Sequence, residues 1–199
     1  MTSAISSRAH PARFAAFAAA ALGFLPLAAC DQDEQSAFAP ACPHVEILGE
    51  AADSYDYNGR GLDVGSLVSH ASMTGLTGAC EAGPTDNHKK IVRTRLSVAM
   101  NVARGPAAKG DTVTLPYFVA VLHDGHIVDK KVFETPIQFE PNVSTTTVRT
   151  PVRIIDVPAS DNIQETNYAM EIGFQLTHAQ LDYNRTHLTP AAFSAHSEQ

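Results

Sequence analysis

The sequence predicts an all-β fold: a two-sheet antiparallel sandwich of about seven strands, with a short C-terminal helical turn. Three observations predict it. Polar and apolar residues alternate with period two in several stretches, most plainly over 91–104 and 168–176. Turn residues interrupt these stretches about every 10–15 residues, the spacing of short strands. Beyond residue 40 no segment carries the longer apolar period of an extended helix.

The elements follow in chain order. His44-Val45-Glu46-Ile47-Leu48 alternates and reads as a short first strand, and Asn58-Gly59-Arg60-Gly61 is a turn cluster. Residues 67–76 are strand-like, with Gly75 and Gly78 marking a bulge before Cys80. In 91–104, Val92, Leu96, Val98, Met100 and Val102 share one face, while Arg93, Arg95, Ser97 and Asn101 share the other. Arg104-Gly105-Pro106 turns the chain out of that strand.

Residues 113–122 form the next strand, where Pro116 removes a ladder donor and therefore calls for an edge or a bulge. His123-Asp124-Gly125-His126 reads as a two-residue type I′ hairpin, because Asp-Gly tolerates positive φ at both central positions. The return strand covers 127–132 and resumes towards Phe139 after a break at Pro136. After the Pro141-Asn142 turn comes a Thr-rich strand over 144–157, interrupted by Pro151. In the last strand, Tyr168, Met170, Ile172, Phe174 and Leu176 alternate with Ala169, Glu171, Gly173 and Gln175. Thr177-His178-Ala179-Gln180 matches a capping box and opens a helical turn carrying Leu181 and Tyr183. Immunoglobulin or fibronectin type III topology is the expected arrangement, with Tyr168 a candidate tyrosine corner. The chain has no Trp, so the core Trp of antibody domains is absent.

The N-terminal segment has a different character. Residues 1–13 hold Arg8 and Arg13 and no acid, and 14–29 are apolar or small, shorter than the roughly 20 residues of a spanning helix. Leu27-Ala28-Ala29-Cys30 ends this run as a bacterial lipobox does: small side chains fit a narrow peptidase site, and the thiol takes a diacylglycerol. The expected organisation is a lipoprotein signal peptide (1–29), an acidic tether (30–41), a β-sandwich domain (42–186) and a disordered tail (187–199). The tether would reach roughly 20 Å as a random coil. Asp31, directly after Cys30, is similar to a retention residue of enteric lipoproteins and leaves the choice of membrane open.

Charge narrows the partners. Without its first 29 residues the chain has 12 basic and 21 acidic residues, a net −9 with His neutral. That balance argues against nucleic acid and against adsorption to anionic head groups, so acyl chains would supply the membrane attachment. Cys42 and Cys80 remain for a disulfide in an oxidising compartment. It would close a loop of about 39 residues and stabilise by roughly 4 kcal/mol.

Residues that could carry chemistry are sparse. His123 and His126 face one another across the hairpin tip, where about 5 Å between Cβ atoms would let two imidazoles share an ion. Two ligands make a weak site, and no metal and no cofactor is expected. His88 beside Lys89 and Lys90, and His178 in a helical first turn, read as surface. Arg93, Arg95 and Arg185 could meet an anion but fit a solvated face equally well. The chain has no Gly-x-Ser-x-Gly elbow and no His-Glu-x-x-His, and no enzyme activity is expected.

The lipobox, Cys42-Pro43 with Val45 and Ile47-Leu48, Arg104-Gly105-Pro106-Ala107, Leu115-Pro116-Tyr117-Phe118-Val119-Ala120, and Gly173-Phe174-Gln175-Leu176-Thr177 with Gln180-Leu181 and Tyr183-Asn184-Arg185 together resemble a family of uncharacterised proteobacterial lipoproteins. The likeness spans most of the chain after Cys30 and implies an envelope location; it implies no activity. The expected function is a lipid-anchored binding or assembly module that faces the periplasm and serves an envelope protein complex. A carrier or sensor of a small ligand or metal ion is the alternative.

Overall fold

The alternating stretches become strands, and the Gly, Pro and Asx clusters become the turns between them. A computed structural model describes residues 41–59, 61–85, 89–159 and 166–188, and the backbone of 193–194. Ten strands and one helix run in the order β1 His44–Ile47, β2 Asp53–Tyr57, β3 Leu67–Ala82, β4 Ile91–Arg104, β5 Thr112–His123, β6 His126–Gln138, β7 Thr145–Arg149, β8 Arg153–Pro158, β9 Tyr168–Phe174, α1 His178–His187 and β10 Phe193–Ser194. One sheet has the order β10-β1-β9-β5-β6. The other has β2-β3-β4, with β7 and β8 both along the far side of β4.

The two inner faces share one core, so the fold is the expected all-β sandwich. Leu96, Val98 and Met100 from β4, Tyr117 and Val119 from β5, and Met170, Ile172 and Phe174 from β9 are each at most 1% exposed. Both strongly patterned stretches are therefore interior strands with the facing their alternation predicts. Tyr117 buries its ring beside Phe133, and its hydroxyl accepts a hydrogen bond from Arg153 Nε at 2.9 Å. At the end of the sandwich, Cys42 before β1 and Cys80 in β3 form a disulfide-compatible pair, Cα atoms 5.8 Å apart, linking one sheet to the other.

Turn chemistry is also as expected. Asp124 (φ 50°) and Gly125 (φ 77°) make the two-residue hairpin, with His123 paired to His126. The β3–β4 register slips between Met73 and Gly75, the bulge that Gly75 suggested. Pro116 lies in an interior strand, yet beside the point where β9 ends. Its carbonyl accepts Gln175 N–H at 2.9 Å, and amide and carbonyl of one strand residue point the same way, so the missing donor faces that end.

Six expectations are corrected. Among the described residues the strands number ten rather than about seven, because β2 was not foreseen, the 144–157 stretch divides at Pro151 into β7 and β8, and β10 follows the helix. The sandwich is not wholly antiparallel: β1 runs parallel to β9, through His44↔Ala169 to Ile47↔Ile172. Side-chain period carries no information on strand direction. The chain crosses from β4 in one sheet to the β5–β6 hairpin in the other, back to β7 and β8, and over again to β9, a Greek-key order, but β1 stands parallel beside β9 where an immunoglobulin domain has an antiparallel last strand.

β6 runs unbroken through Pro136, since among the described residues no strand pairs with its outer side. The helical turn is a ten-residue helix with both capping-box bonds in place. The stretch assigned to a disordered tail contains β10, paired with β1 through Glu46↔Ser194 and Ile47↔Phe193.

Tertiary contacts hold α1 against β2. Asn184 is buried, and its side-chain amide donates to Glu50 O at 3.0 Å and Asp53 O at 2.7 Å. The turn at Gly49–Ala51 packs on the outer side of β9, where a Cβ on Gly173 would stand 2.6 Å from the Ala51 Cβ. Only a glycine admits that approach.

Candidate functional site

Three surfaces gather side chains with chemical potential. The first arises where β2 pairs with β3, because Asp53↔Ser72 and Tyr55↔His70 are cross-strand neighbours. Asp53 Oδ1 lies 3.2 Å from His70 Nε2 and accepts the Ser72 hydroxyl, whose oxygen is 3.2 Å from the same Nε2. The bond from His70 holds the Asp53 carboxyl below its usual range, with Ser72 adding to it and partial burial opposing. Ser, His and Asp have met, but not as a nucleophilic triad. Asp and Ser share one imidazole nitrogen, and the hydroxyl proton is committed to the carboxylate. The arrangement braces β2 on β3.

His70 also begins a run of rings. Tyr55 stacks on it with centroids 4.1 Å apart, Tyr183 tilts against Tyr55 at 5.5 Å, and His187 stacks on Tyr183 at 4.5 Å. Beside this run, Tyr55, Tyr57, Leu62, Ala179, Gln180 and Tyr183 line a half-open groove of about 350 Å³ between β2 and α1. Burial raises both the Tyr55 and the Tyr57 hydroxyl pKa, so the rings stay neutral hydrogen-bonding groups at physiological pH.

On the outer face of the sheet containing β4, charged and polar groups pair with one another, while Ile154 of β8, opposite Arg95, stays 48% exposed. Arg93 grips Asp156 with bonds of 2.8 and 2.7 Å, Arg95 Nε meets Glu81 at 2.9 Å, and Arg149 donates to Thr77 at 2.8 Å. Arg185, on α1, closes a fork on Glu50 with two 2.9 Å bonds. The arginines weighed as anion ligands are thus each engaged by an acid of the same chain.

The other sheet presents the opposite surface. Its outer face carries Phe118 and Ala120 from β5, packed with Leu48, Leu122 and Leu176. Lys130 of β6 lies across Phe118, Nζ 4.1 Å from the ring centroid. Beyond it Ile127 and Val132 are 62% and 52% exposed, on the strand that ends the sheet. Sequence reasoning did not single out β6. Its alternation of Lys130, Val132 and Glu134 gains meaning only once the strand is known to lie at an edge.

The remaining expected residues fall as follows. Cys30 lies outside the described residues, as does His88. His123 and His126 are opposite one another at the tip, where the His123 ring packs on Tyr168 with centroids 4.6 Å apart and its Nδ1 lies 3.5 Å from Asp124. Tyr168 is therefore committed to the hairpin end. His178 is exposed. Among the described residues no three His, Cys, Asp or Glu side chains converge as a metal site, and no helix is long and apolar enough to cross a membrane. Comparison with family models, curated proteins and solved structures finds no match to this chain.

Proposed function

We propose that this chain is a lipid-anchored docking module of the bacterial cell envelope, resembling a proteobacterial lipoprotein family, tethered through Cys30 and facing the periplasm. The lipobox and the acidic mature chain support the anchor. The observation that carries the docking role is β6, a 13-residue edge strand with exposed Ile127, Val128 and Val132. A strand at the end of a sheet leaves backbone groups unpaired on its outer side, which a strand of another chain can take up. The alternative, a carrier of a small ligand, draws support from the tyrosine groove, whose volume lies in the range of about 300–1,000 Å³ typical of ligand sites.

A photo-crosslinking residue placed at position 132 of the full chain tests the reading in intact cells. Docking at β6 yields discrete adducts in the membrane fraction, and the same residue at position 147, on the polar ladder, yields far fewer. No adduct at 132, or equal labelling at both positions, overturns it.

A further inference from the structure

We propose that β6 pairs with β6 of a second copy of this chain, antiparallel, about a two-fold axis at Val132. The inference rests on the docking reading and names its partner. Backbone direction comes first. Pro116 O accepts from Gln175 N at 2.9 Å, and Phe139 N donates to Asp111 O at 2.7 Å. Even-numbered residues of β5 therefore address β9, and odd-numbered ones address β6. With Tyr117 opposite Phe133 and Val119 opposite Lys131, those β6 residues turn their amides and carbonyls inward to β5. Lys130, Val132 and Glu134 turn theirs out, to the open edge.

A two-fold axis at Val132 places Val132 opposite itself and Lys130 opposite Glu134 on both sides. All three side chains are on the outer face with Phe118, which is opposite Val132. Each charge meets its opposite, and the apolar residue meets its equal in a hydrogen-bonded pair with Cα atoms about 5.5 Å apart. On the other face Lys131 meets Phe133 of the second copy. The neighbouring registers fail. Centring on Lys130, Lys131 or Glu134 opposes like charges, and centring on Phe133 sets Lys130 against Pro136.

The ends of the strand limit the pairing to this segment. Pro136, four residues after Val132, has no N–H to offer outward. Val128, four residues before it, is the extra residue where the β5–β6 register shifts. Across the axis the two meet each other, so both boundaries fall at the same place. In the single chain the Lys130 amide donates to Asp129 Oδ1 at 2.8 Å, and it exchanges that bond for the Glu134 carbonyl of the second copy.

Sedimentation velocity of the full chain in a mild detergent tests the proposal by charge exchange. The parent runs as a dimer at micromolar concentration. Lys130→Glu and Glu134→Lys each oppose like charges at both pairs, weakening association about tenfold or more. The double variant Lys130→Glu/Glu134→Lys restores it. Lys130 and Glu134 lie four residues apart on one strand, roughly 13 Å, too far to pair within a chain, so rescue reports the symmetric register. As a second readout, Val132→Cys under mild oxidation gives a disulfide-linked dimer that the parent does not form. A monomeric parent, single reversals without effect, or a double variant without rescue overturns the proposal. Adducts at position 132 of a mass other than twice the chain overturn it too, while leaving the docking reading intact.

Discussion

The outer faces of the two sheets, resting on one core, are built on opposite plans. On the face centred on β4, polar groups are spent on one another: Arg93 pairs with Asp156, Arg95 with Glu81, and Asp53 hydrogen-bonds His70 and Ser72. On the face centred on β5, Phe118 lies under Lys130 and against Leu48, Leu122 and Leu176, Ile127 and Val132 stand in water, and Glu171 is the ladder neighbour of Glu46. Burial and the charges of Glu46 and Glu50 raise the Glu171 carboxyl pKa. A self-satisfied face has little left to offer a partner, because each polar group must first be released. A face that keeps apolar area gains by being covered, whereas its carboxylate gains only from a partner that brings a cation or a donor.

That comparison presupposes the register of β9, with Met170, Ile172 and Phe174 inward and Glu171 outward. The largest expected effect breaks or upholds it. Phe174→Ala should cost roughly 3–5 kcal/mol, read as a lowered urea midpoint or loss of soluble protein. Val132→Thr, at the exposed edge, should stay within about 0.5 kcal/mol. If the edge variant were the more damaging of the two, the division into core and faces would be wrong.

Next in size is the link that holds the two sheets in register at one end. Cys42→Ser/Cys80→Ser should destabilise by roughly 4 kcal/mol under non-reducing conditions. Non-reducing peptide mapping should recover the joined peptides. Free thiols at both positions would remove the clamp from the comparison.

The smallest effects set the two faces against each other through pH. The Asp53 carboxyl is held below its unfolded value, so its contribution is present above about pH 4 and is lost as pH falls through the folded pKa. Asp53→Asn should cost about 1 kcal/mol at pH 7, the group being only half-buried, with the gap to the parent closing in acid. Glu171 has the opposite sign. Its raised pKa disfavours the folded carboxylate at neutral pH, so Glu171→Gln should be the more stable protein at pH 7 and lose that advantage as pH drops towards about 4. Urea melts of both variants at pH 7 and 4 check the signs. Shifts of the same sign would show that the faces are not electrostatically distinct.

Much of the fold was legible in the chain because period two and turn chemistry are local. The facing of β4 and β9, the Asp124-Gly125 hairpin, the Gly75 bulge and the Thr177–Gln180 capping box each depend on residues a few positions apart. The pairing of Cys42 with Cys80 followed from arithmetic, since no other cysteine remained beyond Cys30. β2 was illegible for the same reason: Asp-Ser-Tyr-Asp-Tyr has no apolar alternation and becomes a strand because β3 supplies its ladder and α1 its cover.

What only the tertiary structure decided is which groups are already engaged and which are left over. Arg93 and Arg95 look alike in sequence as free cations, and strand pairing set Asp156 and Glu81 beside them. The Asp53–His70–Ser72 cluster joins residues up to 19 positions apart, and its shared nitrogen is a matter of register that no motif encodes. β6 is an edge because β9 took the other side of β5, a choice made by a strand more than 30 residues further along. By itself the sequence determined which residues alternate and where the chain turns, since backbone sterics act locally. Neighbours across a sheet, and the edge left without one, depend on the path of the whole chain.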